Sequence, residues 1–329
     1  MAIAETAVTE SARSRAWSLQ GNLRYAIPYL LFAVCWFVVA VSVPGFGTIP
    51  HFMYMVVFSG FLGMVAAGQT VVIISGGIDL SVGAMVTLAG VTITQTMYAT
   101  RFGFVPAVAL AFVAAVLLGL LNGAGIGLLR IPPLVMTLAS STIIHGIALL
   151  ITNGTPHEVR IPSFQEWVVK PSLFGINGVL QSWIVVSVIV LLLLERTVYG
   201  KRIFLSGSNP TAALYAGYNP RRLTFFVYIF ASVLSAGAGI VSIAFTGNSY
   251  LGMGDAYQLG SIAAVVLGGT SILGGTGSYW GTIAGALLLT LITSVLTLFR
   301  VSGGGQNAVE GAIILVLMAM YAVGTRTRD

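Results

Sequence analysis

The sequence predicts an all-α, polytopic membrane protein, and three observations carry that reading. Of 329 residues, 57% are hydrophobic and 7% charged, where soluble domains carry about 25% charged residues. The mean hydropathy is +0.97, more apolar surface than a soluble fold of this size can hide. The apolar runs are long and unbroken and do not alternate with period two, which argues for helices over a barrel. A spanning helix takes about 20 apolar residues, so the chain holds about ten spans, short loops and no large soluble domain. The 40 glycines suit close helix–helix approach, and helix breaks where backbone lines a protected cavity.

The first run, 25–43, follows Arg13, Arg15 and Arg24 and resembles a signal peptide. It is long, lacks a small-x-small cleavage site and is soon followed by further runs, so it reads as a retained span behind a cytoplasmic tail at 1–22. Residues 23–325 then form one transmembrane domain. Cys35, the single cysteine, sits in this first span as a packing residue and allows no internal disulfide. Runs 52–74 and 82–99 are separated by a Gly-rich break near 75–81, and runs 104–128 and 132–152 by a turn bearing Arg130. The later runs are 179–194, 223–246, 257–270, 280–299 and 307–324, with a second Gly-rich break near 268–279.

Basic residues orient these spans. With both termini cytoplasmic, the outer segments hold Arg101, Arg160, Lys170 and Arg300, and the remaining eleven of 15 Lys and Arg lie inside, as the positive-inside rule requires. The net charge of +6 is therefore a topology signal, and no nucleic-acid partner is expected. The outer loop, 153–178, is polar, aromatic and mixed in sign. It is either a solvated connector or a surface for an external partner. The inner loop, 195–222, joins basic clusters through Ser206-Gly207-Ser208-Asn209-Pro210-Thr211-Ala212-Ala213. Asn209-Pro210 starts a turn and Thr211 to Ala216 a short helix. That helix either docks on a cytoplasmic protein or anchors at membrane lipid. Residues 68–87 and 263–282 echo each other: an apolar helix, a Gly pair, a polar turn and a new helix. Gly-interrupted spans in two halves of a transporter point to the translocation path.

Asp79, between Gly76-Gly77 and Ser81, is the outstanding polar residue. A carboxylate at membrane depth is costly and marks function, yet Asp79 or Ser81 equally caps the following helix. The two roles are compatible. Gln69, Thr70 and Asn122 face a pore or bridge helices. His145 reads as a helix–helix contact and Glu310 as a structural charge at a helix start. Metal sites, HExxH and GxSxG are missing, and neither Lys170 nor Lys201 follows the Gly-Lys-Ser/Thr pattern of a phosphate loop. No cofactor and no catalysis are expected in this chain.

The run Ile73-Ile74-Ser75-Gly76-Gly77-Ile78-Asp79-Leu80-Ser81-Val82-Gly83 resembles a hallmark of the permease subunits of bacterial sugar ABC importers, the ribose/xylose/arabinose/galactofuranose group. Leu267-Gly268-Gly269-Thr270-Ser271-Ile272-Leu273-Gly274-Gly275-Thr276-Gly277-Ser278 resembles the second hallmark, and Ser206 through Ala216-Gly217 the segment that contacts the ATPase. The resemblance spans about 25 to 324. It implies a multi-pass permease of the bacterial inner membrane that moves a monosaccharide. It also implies a cytoplasmic ATPase that binds ATP, a periplasmic sugar-binding protein and a second permease in a homodimer or heterodimer. Coupling to the ATPase then falls to Ser206, Gly207, Ser208, Asn209, Thr211, Ala212, Ala213 and Gly217. The path and helix breaks fall to Gln69, Gly76, Gly77, Asp79, Ser81, Asn122, Gly268, Gly269, Gly274 and Gly275. Tyr215 and Tyr218 depart from the smaller aliphatic residues that the family suggests around Ala216-Gly217. The alternative, a proton- or sodium-coupled secondary transporter, would call for more intramembrane carboxylates than Asp79 and Glu310.

Overall fold

The structure, a computed structural model, describes residues 26–100, 103–158 and 160–326, with side chains up to residue 319. The expected tail at 1–22 lies outside the described residues. Helix α1 is Ala26–Ser42. It is followed by α2 (Ile49–Ile74), α3 (Val82–Thr100), α4 (Phe104–Gly127), α5 (Pro133–Thr152), α6 (Pro162–Val169) and α7 (Gly178–Arg196). Then come α8 (Val198–Ser208), α9 (Pro210–Tyr215), α10 (Pro220–Thr246), α11 (Asp255–Leu267), α12 (Tyr279–Leu298) and α13 (Gly303–Arg326). Seven of these, α2, α3, α4, α5, α7, α10 and α12, are long and apolar enough to cross a bilayer. The chain is thus an all-helical polytopic membrane protein.

Helix α1 ends at Ser42, one residue from the expected 43. The span expected at 257–270 is met by a short helix. Helix α11 has 13 residues, about 20 Å of helix where the hydrocarbon core is about 30 Å thick. The reason is visible at its start. After α10, Gly247 (φ +78) and Gly252 (φ +82) turn the chain back into the bundle. Gly254 lands on the carbonyl of Gly83 in the first turn of α3, and its N–H donates to Thr87 Oγ1 at 3.0 Å.

Helix α10 is the centre of the bundle and packs against α4, α3 and α2. The α4 contact is a stripe of small residues. A Cβ on Gly119 would meet Ile229 Cα at 2.3 Å, and one on Gly123 would meet Phe225 Cα at 2.9 Å. Only glycine at this i, i+4 spacing lets the two backbones come so close, and in lipid that van der Waals contact is the main attraction between helices. Several hydroxyls in the spans are satisfied locally. Ser59, Thr70 and Ser235 each donate to the carbonyl four residues back, which removes the cost of an unpaired donor in an apolar medium. A buried hub ties α2, α7 and α12. Tyr279 Oη donates to Gly63 O at 3.0 Å, and Trp183 Nε1 donates to Tyr279 Oη at 3.1 Å.

The segment 153–178 is built, not merely solvated. His157 stacks on Tyr98 with ring centroids 3.6 Å apart, and Trp167 Nε1 donates to Gln181 Oε1 at 3.1 Å. On exposed α6, the Lys170 ammonium bonds Glu166 and holds its carboxyl below the ordinary value of 4.5. Cys35, expected in packing, is exposed on α1.

Candidate functional site

Helices α2, α11 and α9 stop in the same way. Gly76 (φ +89) donates to Ile73 O and Gly77 to Val72 O; Gly269 (φ +83) donates to Val266 O and Thr270 to Val265 O. Gly217 (φ +79) donates to Leu214 O and Tyr218 to Ala213 O. This is the paired 5→2 and 6→1 closure that needs a left-handed residue just past the helix, a conformation nearly free for glycine and strained for any side chain. The two Gly-rich breaks that echo each other in the sequence therefore share one backbone device.

Those breaks then meet. Gly275 N donates to Ile74 O at 2.9 Å, so a last-turn carbonyl of α2 without a partner in its own helix is satisfied by the loop after α11. Helix α8 sits on that bond. A Cβ on Gly207 would lie 1.9 Å from Ile74 O and 2.7 Å from Gly275 N, and one on Gly274 would lie 2.9 Å from Gly76 Cα. Ser208 Oγ donates to Phe204 O at 2.8 Å and lies 3.4 Å from Gly275 O. Gly76, Gly207, Ser208, Gly274 and Gly275, which come from three separate motifs, thus form one backbone-to-backbone junction.

Beyond the junction the chain turns outward. Asn209 Oδ1 accepts from Ala212 N at 2.9 Å and caps α9, with Pro210 at its first position. Ser206 and Ala213 are buried, while Thr211 and Gly217 are exposed and Ala212 is half-buried. Tyr215 is 89% exposed. Tyr218 packs on the Arg202 guanidinium, 4.7 Å from carbon to ring centroid. Helix α8 itself was not expected from the sequence. Its signal was Thr197, whose Oγ1 accepts from Gly200 N at 3.1 Å.

Asp79 lies beside this junction and is fully buried. Its Oδ1 accepts from Ser81 N at 2.8 Å and from Ser81 Oγ at 2.5 Å, the capping geometry. Asn122 Nδ2 donates to Ser81 Oγ at 2.9 Å, which ties α4 to the start of α3. Thr137 on α5 was not singled out in the sequence; its Oγ1 accepts from Leu80 N at 3.0 Å and donates to Pro133 O at 2.9 Å. Asp79 Oδ2 and Asn122 Oδ1 have no hydrogen-bond partner, and neither does the Tyr228 hydroxyl, which faces Gly77. Gln69 is fully buried on α2 with both amide atoms unpartnered, and Thr70 bonds Thr282 across to α12 at 2.9 Å. Gly268 lies apart from the junction, against the backbone of Gly281 on α12. Glu310 is buried on α13 near Gly260 of α11. His145 makes a helix–helix contact as expected, but with a charged group: its Nε2 lies 3.5 Å from Asp255 Oδ1 at the start of α11. Among the described residues no three His, Cys, Asp or Glu side chains gather as metal ligands.

Comparison with known proteins identifies the family. Residues 52–322 match the family described as "Branched-chain amino acid transport system / permease component". The chain is 30% identical to the ribose import permease protein RbsC of Escherichia coli (strain K12), over 92% of this chain and 94% of that protein. It is 33% identical to the protein of the same name from Bacillus subtilis (strain 168), over 78% and 80%. It is 34% identical to the autoinducer 2 import system permease protein LsrC of Yersinia pestis (strain Pestoides F), over 77% and 71%. The chain therefore belongs to this permease family: it is the multi-pass membrane permease of a bacterial ABC importer, not itself catalytic, with ATP bound by a partner ATPase.

Proposed function

We propose that the chain moves a monosaccharide of the pentose or hexose class inward, in ten membrane passages counting α1, α11 and α13, with both termini cytoplasmic. The observation that carries the mechanism is the junction of Gly76, Gly207 and Gly275. Residues 195–222 are the coupling segment. Exposed α9 takes the push of the ATPase, and α8 passes it through Gly207 to the ends of both broken helices. A backbone contact of this kind cannot be absorbed by a rotamer change, so motion of α8 moves α2 and the loop after α11 together. The broken helices, with Gln69, Gly76, Gly77, Asp79, Ser81, Asn122, Gly268 and Gly269, shape the path. Asp79 holds the first break in register as a helix cap. A second permease, identical or different, completes the path, and a sugar-binding protein docks at 153–178. The sugar class rests on the two ribose import relatives.

The test has two arms. The detergent-solubilised chain is pulled down with its ATPase, native and with Asn209→Ala or Gly217→Val. Native binding that these variants lose supports the coupling role; equal binding by all three refutes it. Uptake of labelled D-ribose by the reconstituted importer is then competed with pentoses, hexoses and branched-chain amino acids. Competition by amino acids alone would overturn the sugar reading.

A further inference from the structure

Two faces of α5 differ in chemistry. Ile143, Ile147 and Ile151 face an apolar groove with Leu110, Leu117 and Leu121 of α4, a surface suited to acyl chains. The other flank carries Thr142 and His145. His145 is the thirteenth residue of a 20-residue span, well inside the segment. Its partner Asp255 opens α11, which begins beside the first turn of α3. The side chains of His145 and Asp255 are 34% and 62% exposed. Exposed Tyr250 and half-buried Gln258 flank Asp255 in the chain.

An ionisable pair at this depth cannot face hydrocarbon: each charge costs several kcal/mol there, so such groups line water or protein. The irregular stretch 247–254 points the same way, because non-helical backbone within a membrane is tolerated only where it is covered or lines a water-filled cavity. We infer that the His145–Asp255 pair forms part of the wet wall of the translocation path and contacts the passing solute. This rests on the importer reading. The chemistry fits a polyhydroxylated solute: a carboxylate accepts from neighbouring hydroxyls, an imidazole donates or accepts, and neither binds tightly enough to trap a solute that must leave. Asp255 was not singled out in the sequence, since it reads there as an ordinary acidic residue at a helix start.

The test uses the assembled importer with Cys35→Ala, which removes the single cysteine. Asp255→Cys, His145→Cys and, on the apolar flank, Ile147→Cys are exposed to a charged, membrane-impermeant thiosulfonate reagent. Either Asp255→Cys or His145→Cys should react roughly tenfold faster or more than Ile147→Cys, because a thiol in apolar surroundings stays protonated and inert. D-Ribose delivered by the loaded binding protein should slow that reaction. Labelling at both positions no faster than at Ile147→Cys overturns the inference. Fast labelling that D-ribose and competing sugars leave unchanged overturns the solute contact. The same labelling of the purified chain alone in vesicles needs neither ATPase nor transport, so it reports on this face even where ATPase capture fails and the importer reading falls.

Discussion

Replacing Gly207 with alanine tests the junction directly. The new Cβ would lie 1.9 Å from Ile74 O, where ordinary contact begins near 3.4 Å. To relieve it, α8 must withdraw from α2 by about 1.5 Å, or Ile74 must move away from Gly275. Movement of Ile74 stretches the 2.9 Å Gly275 N–Ile74 O bond and leaves a helix-end carbonyl without its partner. A lost buried hydrogen bond costs about 1–3 kcal/mol and overpacking a similar amount, so the expected loss is about 2–6 kcal/mol. Melting of the purified protein in detergent should fall by on the order of 5 °C or more. ATPase capture should weaken in parallel, since α9 hangs from α8. Gly237→Ala in α10 is the control: its Cβ meets nothing within 4 Å, and alanine in a helix gains about 0.5–1 kcal/mol over glycine. If Gly207→Ala melts with the native protein and holds the ATPase equally well, the junction is not a tight backbone contact and the coupling route through it fails.

Other expectations follow from the same geometry. Tyr279→Phe removes the hydroxyl that joins Gly63 and Trp183 and should cost about 1–3 kcal/mol in unfolding measurements. Asp79→Asn keeps an acceptor for Ser81 N and should melt close to native, whereas Asp79→Ala should lose about 1–2 kcal/mol. If Asp79→Asn instead abolishes uptake and that uptake follows a proton gradient, the ATP-driven reading is wrong. Gln69→Met should melt at or above the native temperature, because both amide atoms are buried without partners; a clearly lower melting temperature would show that the amide is satisfied in the folded protein. Glu166 has its carboxyl lowered by Lys170, so its contribution is complete above the ordinary 4.5 and fades as pH falls through the lower folded value. Glu166→Gln should therefore lie a small, constant step below the native protein at pH 6 and above and converge on it as pH falls into acid; a gap that persists unchanged into acid would refute the pairing.

The membrane class and most span positions were legible because apolar runs and basic flanks are local properties of sequence. Asn209-Pro210 announced α9, and the echo between 68–87 and 263–282 marked two helix ends that close in the same way. What local reading could not supply was proximity. Nothing near Gly207 in the chain says that Ile74 and Gly275 lie beneath it, for the contact is made of backbone atoms, which every residue shares. Helix α11, expected at 257–270, runs Asp255–Leu267; its apolar residues run on into Gly268–Gly269, and only the packing of Gly254 on Gly83 shows what sets its start. His145 looked ordinary because its partner stands 110 positions away at Asp255.

The closing of α9 by Gly217 separates two demands on one short segment. Inward of Asn209, Gly207 and the facing Gly274 and Gly275 are held against main-chain atoms and tolerate almost no added mass. Everything on the outer rim, Thr211, Leu214 and Tyr215, touches nothing that sets the joint. If α9 is the coupling segment proposed above, the rim can be rewritten to suit a different motor while the linkage keeps its stiffness. An exchange of 210–216 between related permeases should transplant the choice of ATPase without retuning the gate it drives.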